Sequence, residues 1–251
     1  MPDQKKYKII GLIPARAGSK RVKDKNIRPL NSHPMIAYTI SAAQASGLFD
    51  RIVVSTDSEI IQKIAIYYGA DAPFLRPQEF ANSTSPDIEW IKHALENIEE
   101  KYDIFAILRP TSPFRSADTI RRAYQEFINN QKIDSLRAVE LCKQHPGKMW
   151  IIEGETMKPL LNQDHLEVAW HAGQYQALPK VYVQNSSLEM AWTKVVDKYN
   201  TREGKILGPF LTEGYEGFAV DYKSDWEWLE KMIRTGDVAL PKVNKQPFKH
   251  Q

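Results

Sequence analysis

The chain of 251 residues contains a single cysteine, Cys142. It has no apolar stretch close to the ~18 residues that a transmembrane helix needs. One cysteine excludes a disulfide framework and any metal site built from several thiolates. No apolar core of a signal peptide precedes the first predicted strand, and internal repeats and low-complexity segments are also absent. We therefore expect a cytoplasmic protein that is not bound to a membrane.

Positive charge is in small excess and is concentrated near the N-terminus. The formal net charge is +3, and the contents of charged residues (26%) and hydrophobic residues (42%) are ordinary for a soluble globular protein. A mild, localised excess of this kind favours a small anionic substrate over long nucleic acid. The chain is long enough for one sizeable α/β domain with room for an inserted subdomain.

The stretch with the clearest chemistry follows a continuous apolar run over residues 9–13, which predicts a buried parallel strand. Directly after it, Gly18 and Ser19 lie between two cations, Arg16 and Lys20. Small side chains allow the backbone N–H groups of such a turn to face a polyanion. More cations follow, at Arg21, Lys23, Lys25 and Arg28. Because ligands of open α/β sheets bind beyond the carboxyl ends of the strands, this stretch predicts a triphosphate-binding loop.

Other interpretations of this loop stay open on the residues alone. Its spacing matches neither the Walker motif nor G-x-G-x-x-G, the two common phosphate-binding patterns. A basic run is also typical of a solvated surface or of a patch that binds nucleic acid. Its position directly after a buried strand favours the triphosphate.

Apolar runs of strand length alternate with stretches of helical periodicity along the first half of the chain. We predict strands over 51–55, 74–75 and 104–108. We predict a helix over 34–47, with Pro34 in its first turn and Gly47 at its end, and a helix over 58–69 capped by Asp57 and Ser58. Two more helices are predicted to start at Ser85 and at Ser116. This succession predicts an α/β fold, a Rossmann-like doubly wound, mostly parallel sheet with right-handed crossovers.

The alternation stops over residues 140–194, which are rich in aromatic and polar residues. We interpret this segment as an excursion inserted into a single domain over 1–251, and expect it to form a dimer interface or a lid over the acceptor site. A last strand over 215–221, a helix beginning near Ser224 and a frayed basic tail over 241–251 complete the prediction.

Four stretches resemble, in order and spacing, the acylneuraminate (CMP–sialic acid synthetase-like) cytidylyltransferase family. They are A-R-x-x-S-K…K-N over 15–26, V-V-S-T-D over 53–57, L-R-P over 75–77 followed by Ser85, and R-P-T-S-P over 109–113. A single match such as Ser-Thr-Asp is weak, whereas four in order are specific for the nucleotide-binding half. The resemblance covers residues 9–115.

The resemblance implies an enzyme, a CTP-dependent cytidylyltransferase. A hydroxyl of an acidic sugar, such as a sialic-acid-like nonulosonic acid, would attack the α-phosphorus of CTP in line, and pyrophosphate would leave. Mg²⁺ would neutralise the developing charge, and the protein would contribute positioning and electrostatics. The expected partners are therefore CTP and a small acidic sugar, not nucleic acid, and the expected assembly is a homodimer.

The resemblance also implies roles for particular residues. The expected nucleotide-binding residues are Arg16, Gly18, Ser19, Lys20, Lys25, Asn26, Arg76, Ser85 and Arg109. Arg16 and Lys20, together with Asp221, are expected to be catalytic. Asp221 is also the expected metal ligand, because Ala219-Val220-Asp221 matches a family D-x-D whose first carboxylate is missing here. One carboxylate can suffice, since Mg²⁺ keeps waters and phosphate oxygens, with Asp57 or Asp225 as outer support.

The acceptor half departs from the family pattern. Arg109 stands where the family usually has Gln, and Tyr175 and Val183 stand where it has arginines that bind the sugar carboxylate. Asn185 is retained, so we expect Asn185 and Tyr175 to contact the acceptor. Lys180 or Arg115 could bind the carboxylate instead. The alternatives are a different acceptor, such as a sugar phosphate or a phosphonate, and a nucleotide-binding regulatory protein without turnover, which the loss of the carboxylate at Ala219 suggests.

Overall fold

The computed structural model describes residues 7–249 of the chain; residues 1–6 and 250–251, and the predictions that fall on them, lie outside the described range. The strands are β1 (Ile9–Pro14), β2 (Pro29–Leu30), β3 (His33–Pro34), β4 (Arg51–Ser55), β5 (Ile104–Ile107), β6 (Ser135–Leu141), β7 (Trp150–Glu153), β8 (Thr156–Pro159), β9 (Tyr182–Trp192) and β10 (Leu207–Leu211). The α-helices are α1 (Met35–Ser46), α2 (Glu59–Tyr67), α3 (Asp87–Glu96), α4 (Ala117–Asn129), α5 (Lys194–Tyr199) and α6 (Lys223–Thr235).

The main sheet has the strand order β10-β6-β9-β5-β1-β4. β1 lies between β4 and β5 and is parallel to both, so that Leu12 pairs with Val53 on one side and with Ile107 on the other. β9 runs antiparallel to β5, with Glu189 opposite Ile107. The predicted α/β, Rossmann-like fold with a mostly parallel sheet is confirmed.

Side chains of β1 are buried on both faces of the sheet, which explains the continuous apolar run in its sequence. Ile9 and Ile13 pack into a core with residues of α1, α2 and α4. Ile10 and Leu12 pack on the other face with residues of α3 and α5. A third cluster, which includes Val22, joins the segment after β1 to α6.

Several predicted helix ends are confirmed by their capping contacts. α1 is followed by the capping residue Gly47, which has φ +64, the left-handed conformation that favours glycine. The Ser58 side chain accepts from the N–H of Ile61 at the start of α2, and Ser116 forms a capping box at the start of α4. Ser85 does not cap α3, because its hydroxyl donates to the carbonyl of Glu79 (2.6 Å).

Two predicted strands are wrong. The segment near residue 74 forms no strand, and only Asp71 makes an isolated bridge with Val53. Residues 215–221 form a turn and an irregular segment; the last strand of the sheet is β10 instead. The apolar side chains of Phe218 and Val220, which suggested a strand, pack against α6 in the third cluster instead. Residues 219 and 221 therefore do not lie on one face of a strand.

The C-terminal segment over 241–249 is docked rather than frayed, so that prediction is also wrong. The Tyr67 hydroxyl donates to the carbonyl of Gln246 (3.1 Å), and the N–H of Phe248 donates to the Tyr68 hydroxyl (3.1 Å). The rings of Phe248 and Tyr67 lie 5.3 Å apart between centroids. These contacts hold the segment against α2.

The chain folds as two compact units. The first comprises residues 7–138 and 185–249 and contains the sheet core. The second, residues 139–184, contains the β7–β8 hairpin and has its own polar core, in which the buried His145 accepts from the N–H of Gly147 and donates to the carbonyl of Pro179 (both 3.0 Å). Within residues 7–249, no helix is both long and apolar enough to cross a bilayer.

Candidate active site

The loop after β1 is held by contacts with the segment after β4. The N–H of Ala15 donates to the carbonyl of Ser55 (3.0 Å), and the N–H of Ala17 donates to the Asp57 carboxylate (2.7 Å). Gly18 has φ +68, and a Cβ placed on it would meet no atom within 4 Å. The backbone therefore requires glycine there, while the space beside it stays open for a ligand. Asp57 shapes this loop, which leaves its carboxylate less available as outer support for a metal.

Asn26 closes the loop from the other side. Its side-chain amide donates to the carbonyl of Arg16 (3.0 Å), and its own carbonyl accepts from the N–H of Ile36 (2.8 Å). Asn26 is buried, whereas Lys20 is exposed and forms no ion pair within residues 7–249. The loop thus combines a fixed backbone with a free cation at its tip.

Two other cations of this segment, Arg21 and Arg28, pack against α6 and the residue before it. The guanidinium of Arg21 lies 4.9 Å from the ring centroid of Tyr222, and that of Arg28 lies 4.5 Å from Trp226. Both distances permit cation–π attraction. The segment after β1 is therefore fastened to the start of the last helix, far away in sequence.

Lys25, which is expected to bind the nucleotide, and Asp221, which is expected to bind the metal, form an ion pair with each other. The Lys25 ammonium donates to the carbonyl of Val220 (2.5 Å) and lies 3.2 Å from the Asp221 carboxylate. The Lys25 side chain is 14% exposed and that of Asp221 is 53% exposed. Burial lowers the pKa of Lys25, and the negative charge of Asp221 opposes that effect.

Asp221 is the carboxylate that this region offers to a metal ion. Asp225 is engaged elsewhere, because its carboxylate accepts from the N–H groups of Asp221 (2.8 Å) and Tyr222 (2.7 Å) at the start of α6. No group of three or more His, Cys, Asp or Glu side chains within residues 7–249 could hold a metal. A half-exposed single carboxylate fits Mg²⁺ only where phosphate oxygens and waters supply the other ligands.

Arg76 is fixed at the carboxyl end of β4. Its guanidinium donates to the hydroxyl (3.0 Å) and the carbonyl (2.6 Å) of Ser55 and lies 5.1 Å from the ring centroid of Trp90. Burial lowers the pKa of Arg76 to about 10. The side chain is buried, so it supports this edge of the sheet from within.

Arg109 belongs to a cluster of three arginines and three acids, here called the arginine–acid cluster. Its members are Arg109, Arg137, Arg202, Asp87, Glu189 and Glu203. Arg109 lies 2.5 Å from Asp87 and 3.5 Å from Glu189, and Arg202 pairs with the same two acids. Burial alone would raise the pKa of Asp87, but Arg109 and Arg202 hold it below its ordinary value. The sequence alone did not reveal this cluster, because the other five members come from four separate segments of the chain.

Comparison with known proteins agrees with this geometry. Residues 10–210 match the profile of a family described as cytidylyltransferase. The chain belongs to the cytidylyltransferase family. CMP-N,N'-diacetyllegionaminic acid synthase of Legionella pneumophila is 34% identical over 242 residues, which cover 93% of this chain and 99% of that protein. N-acylneuraminate cytidylyltransferase of Escherichia coli is 45% identical over 132 residues, 53% of this chain and 31% of that one.

A solved structure supports the fold of this cytidylyltransferase. A CMP:2-keto-3-deoxy-manno-octonic acid synthetase in complex with CTP superposes with a TM-score of 0.66 at 13% identity, covering 91% of this chain and 99% of that one. An identity this low supports the architecture alone. The family match and the named relatives make the chain a CTP-dependent nucleotidyltransferase.

The residues expected to bind the acceptor lie in different units of the cytidylyltransferase. Asn185, in the first unit, donates to the Thr212 hydroxyl (2.9 Å) and accepts from the N–H of Ser187 (3.2 Å). Tyr175, in the second unit, donates to the carbonyls of Cys142 and Lys143 (both 3.0 Å). Their contact with an acceptor stays a prediction.

The alternative in which Arg115 binds a sugar carboxylate is wrong. Its side chain is 1% exposed, and its guanidinium donates to groups inside the first unit. A solute in the active site cannot reach it.

Proposed function

We propose that this enzyme transfers CMP from CTP to a hydroxyl of a sialic-acid-like nonulosonic acid and releases pyrophosphate. The observation that carries the proposal is the meeting of the loop over 15–26 with Asp221 through the Lys25 ion pair, at the carboxyl edge of β1. The relatives from Legionella pneumophila and Escherichia coli are named after acidic sugars, which supports an acceptor of that class.

The loop after β1 would bind the triphosphate. The N–H groups of Gly18 and Ser19 and the side chains of Arg16 and Lys20 would face the β- and γ-phosphates, whose charge grows as pyrophosphate leaves. Fixed donors and cations aimed at developing charge lower the barrier without reorganisation. The sugar oxygen forms its bond to the α-phosphorus while the bond to the bridging oxygen of pyrophosphate breaks.

Asp221 would hold a magnesium ion that arrives with the nucleotide. When bound, the ion neutralises phosphate charge and so assists the departure of pyrophosphate. Lys25 keeps the Asp221 carboxylate close to the loop before the nucleotide arrives, with its ammonium 3.2 Å from that carboxylate. Lys25 would then be positioned beside the transferred phosphate as a second positive charge.

Pyrophosphate release tests the proposed function directly. The purified enzyme would be assayed with each of the four nucleoside triphosphates and Mg²⁺ against nonulosonic acids, sugar phosphates and phosphonates. We expect release with CTP and a nonulosonic acid. Release with only a sugar phosphate or phosphonate would move the acceptor to the alternative class, and tight CTP binding without release would favour the regulatory protein that the missing carboxylate at Ala219 suggests.

We also propose that the enzyme is a cytoplasmic homodimer whose interface lies in the second unit, residues 139–184, which overlaps the predicted excursion over 140–194. This unit exposes large apolar side chains, including Ile152 (78% exposed), Met157 and Val168. Contiguous exposed apolar surface is typical of protein interfaces.

Sedimentation tests the dimer. Ile152→Lys should shift the protein to a monomer, whereas Ile66→Lys, at an exposed isoleucine of α2 in the first unit, should leave the mass unchanged. A wild-type monomer at micromolar concentration, or a dimer that tolerates Ile152→Lys, would contradict this interface.

A further inference from the structure

Arg115 is a buried cation without an acidic partner. Its guanidinium donates to the carbonyl of Arg109 (3.2 Å), to the carbonyl of Ser187 and to the hydroxyl of Thr39 (3.0 Å). Its Nε has no hydrogen-bond partner, and no carboxylate of residues 7–249 pairs with it. Burial lowers the pKa of Arg115 to about 9.

Burying the Arg115 guanidinium without an acidic partner costs free energy of folding. Buried charges in proteins are normally paired with an opposite charge, because desolvation costs several kcal/mol per ion. Here neutral oxygens from three separate segments, the loop after β5, the strand β9 and the helix α1, surround the guanidinium. An apolar side chain would fill the same space without that cost, so the core alone does not account for an arginine.

The contacts of Arg115 lead to the active site through the backbone. Arg115 ends the loop over 109–115, and the carbonyl of Thr111 in the same loop accepts from the N–H of Val220 (2.9 Å). The carbonyl of Val220 accepts in turn from the Lys25 ammonium (2.5 Å), and Asp221 is the next residue. Two hydrogen bonds therefore separate the loop that Arg115 clamps from the Lys25–Asp221 pair.

We propose that Arg115 is a positioning residue for nucleotide transfer. By clamping the loop over 109–115 to β9 and α1, it fixes the carbonyl of Thr111, which holds Val220 and thereby sets where Lys25 and Asp221 meet. The planar fork of arginine suits this task because it reaches three acceptors at once. The effect on kcat rests on the proposed function, whereas the coupling of the loop over 109–115 to Val220 through hydrogen bonds does not.

Thr39 gives a matched pair of variants that spare the arginine. Thr39→Val keeps the shape of the side chain and removes the acceptor of one guanidinium N–H, whereas Thr39→Ser keeps the hydroxyl. Amide hydrogen exchange, followed by NMR, reports the coupling without any substrate. We expect the Val220 amide to exchange about tenfold faster in Thr39→Val and within about twofold of wild type in Thr39→Ser.

The amide of Leu108, which donates to the carbonyl of Leu12 inside the main sheet, is the internal reference. Its exchange should not change in either variant. An unchanged Val220 amide in Thr39→Val, or an equal acceleration of Val220 and Leu108, would overturn the proposal, because the first denies the coupling and the second describes general destabilisation.

Kinetics provide the second readout. Thr39→Val should lower kcat with CTP about tenfold and change KM for CTP less than twofold, because misplaced groups affect the transition state more than binding. Thr39→Ser should restore kcat. Faster Val220 exchange with unchanged kcat would overturn the positioning role. If wild-type enzyme releases no pyrophosphate, the proposed function fails, and the exchange arm still decides the coupling.

Discussion

The cations of the loop over 15–26 and those of the arginine–acid cluster differ in what neutralises them. Lys20 is exposed and has no ion pair within residues 7–249, and Lys25 has one half-exposed acid beside it. Arg109, Arg137 and Arg202 share three acids among themselves. Unbalanced charge attracts a polyanion, whereas a balanced set mainly holds segments of the chain together. The loop is thus suited to bind phosphate, and the cluster is suited to join α3, β6 and β9.

The largest effect should follow loss of the free cation. Lys20→Ala should lower kcat/KM for CTP roughly a hundredfold, because a preorganised charge contact of this kind is worth ~3 kcal/mol. Lys23→Ala, at another exposed lysine of the same segment, is the control and should stay near the wild-type rate. Steady-state pyrophosphate release measures both. A well-folded Lys20→Ala enzyme with unchanged kcat/KM would remove the loop from the mechanism.

Changes to the Asp221 carboxylate should have a smaller effect on turnover than the loss of Lys20. Asp221→Asn should raise the magnesium concentration for half-maximal rate about tenfold and lower the activity, because the nearest charged ligand is lost. Ala219→Asp adds a second carboxylate two residues away in the same irregular segment and should lower that concentration, because added negative charge nearby attracts the cation. A magnesium titration of the three proteins is the measurement. Metal-independent turnover by wild type, or full activity in Asp221→Asn, would refute the metal assignment.

Arg109→Gln tests most directly whether a cation of the arginine–acid cluster stabilises the fold or binds the nucleotide. If the cluster joins segments, this variant should lower the free energy of unfolding by about 1–2 kcal/mol, because Asp87 and Glu189 lose one of their partners. The KM for CTP should change less than twofold. Chemical denaturation measures the free energy of unfolding, and steady-state rates at varied CTP concentration give the KM. A large rise in KM with unchanged stability would support the nucleotide contact that the motif implies for Arg109.

The smallest effect concerns acid stability. The pKa of Asp87 lies below its ordinary value of 3.8 in the folded state, so its ion pairs stabilise the protein above that pH and lose this contribution as the pH falls through the folded pKa. Asp87→Asn should therefore be less stable than wild type at pH 7, and urea denaturation should show this difference narrowing as the pH falls below 3.8. A difference that stays constant from pH 7 down to the acid limit of folding would show that packing, not charge, explains it.

Local patterns predicted the elements that depend on neighbours in sequence. The apolar run of β1, the caps at Ser58 and Ser116 and the left-handed Gly47 are decided within a few residues. The turn at Gly18 was predicted on the same basis, because small residues after a buried strand allow its backbone conformation.

Contacts between distant segments could not be predicted in this way. The alternation over 215–221 indicated a strand, but its apolar residues pack against α6. Arg115 carries the most polar of side chains and is nevertheless fully buried, because oxygens from residues 39, 109 and 187 converge on it. No periodicity in one segment encodes such a convergence.

The two residues of the Lys25–Asp221 pair are synthesised at very different times. The two residues are 196 positions apart, so at ordinary synthesis rates of roughly 5–20 residues per second Lys25 is added to the chain about 10–40 s before Asp221. Throughout that interval the nascent chain holds the complete loop motif without the carboxylate beside it. The active site therefore lacks Asp221 until every strand of the main sheet has been synthesised.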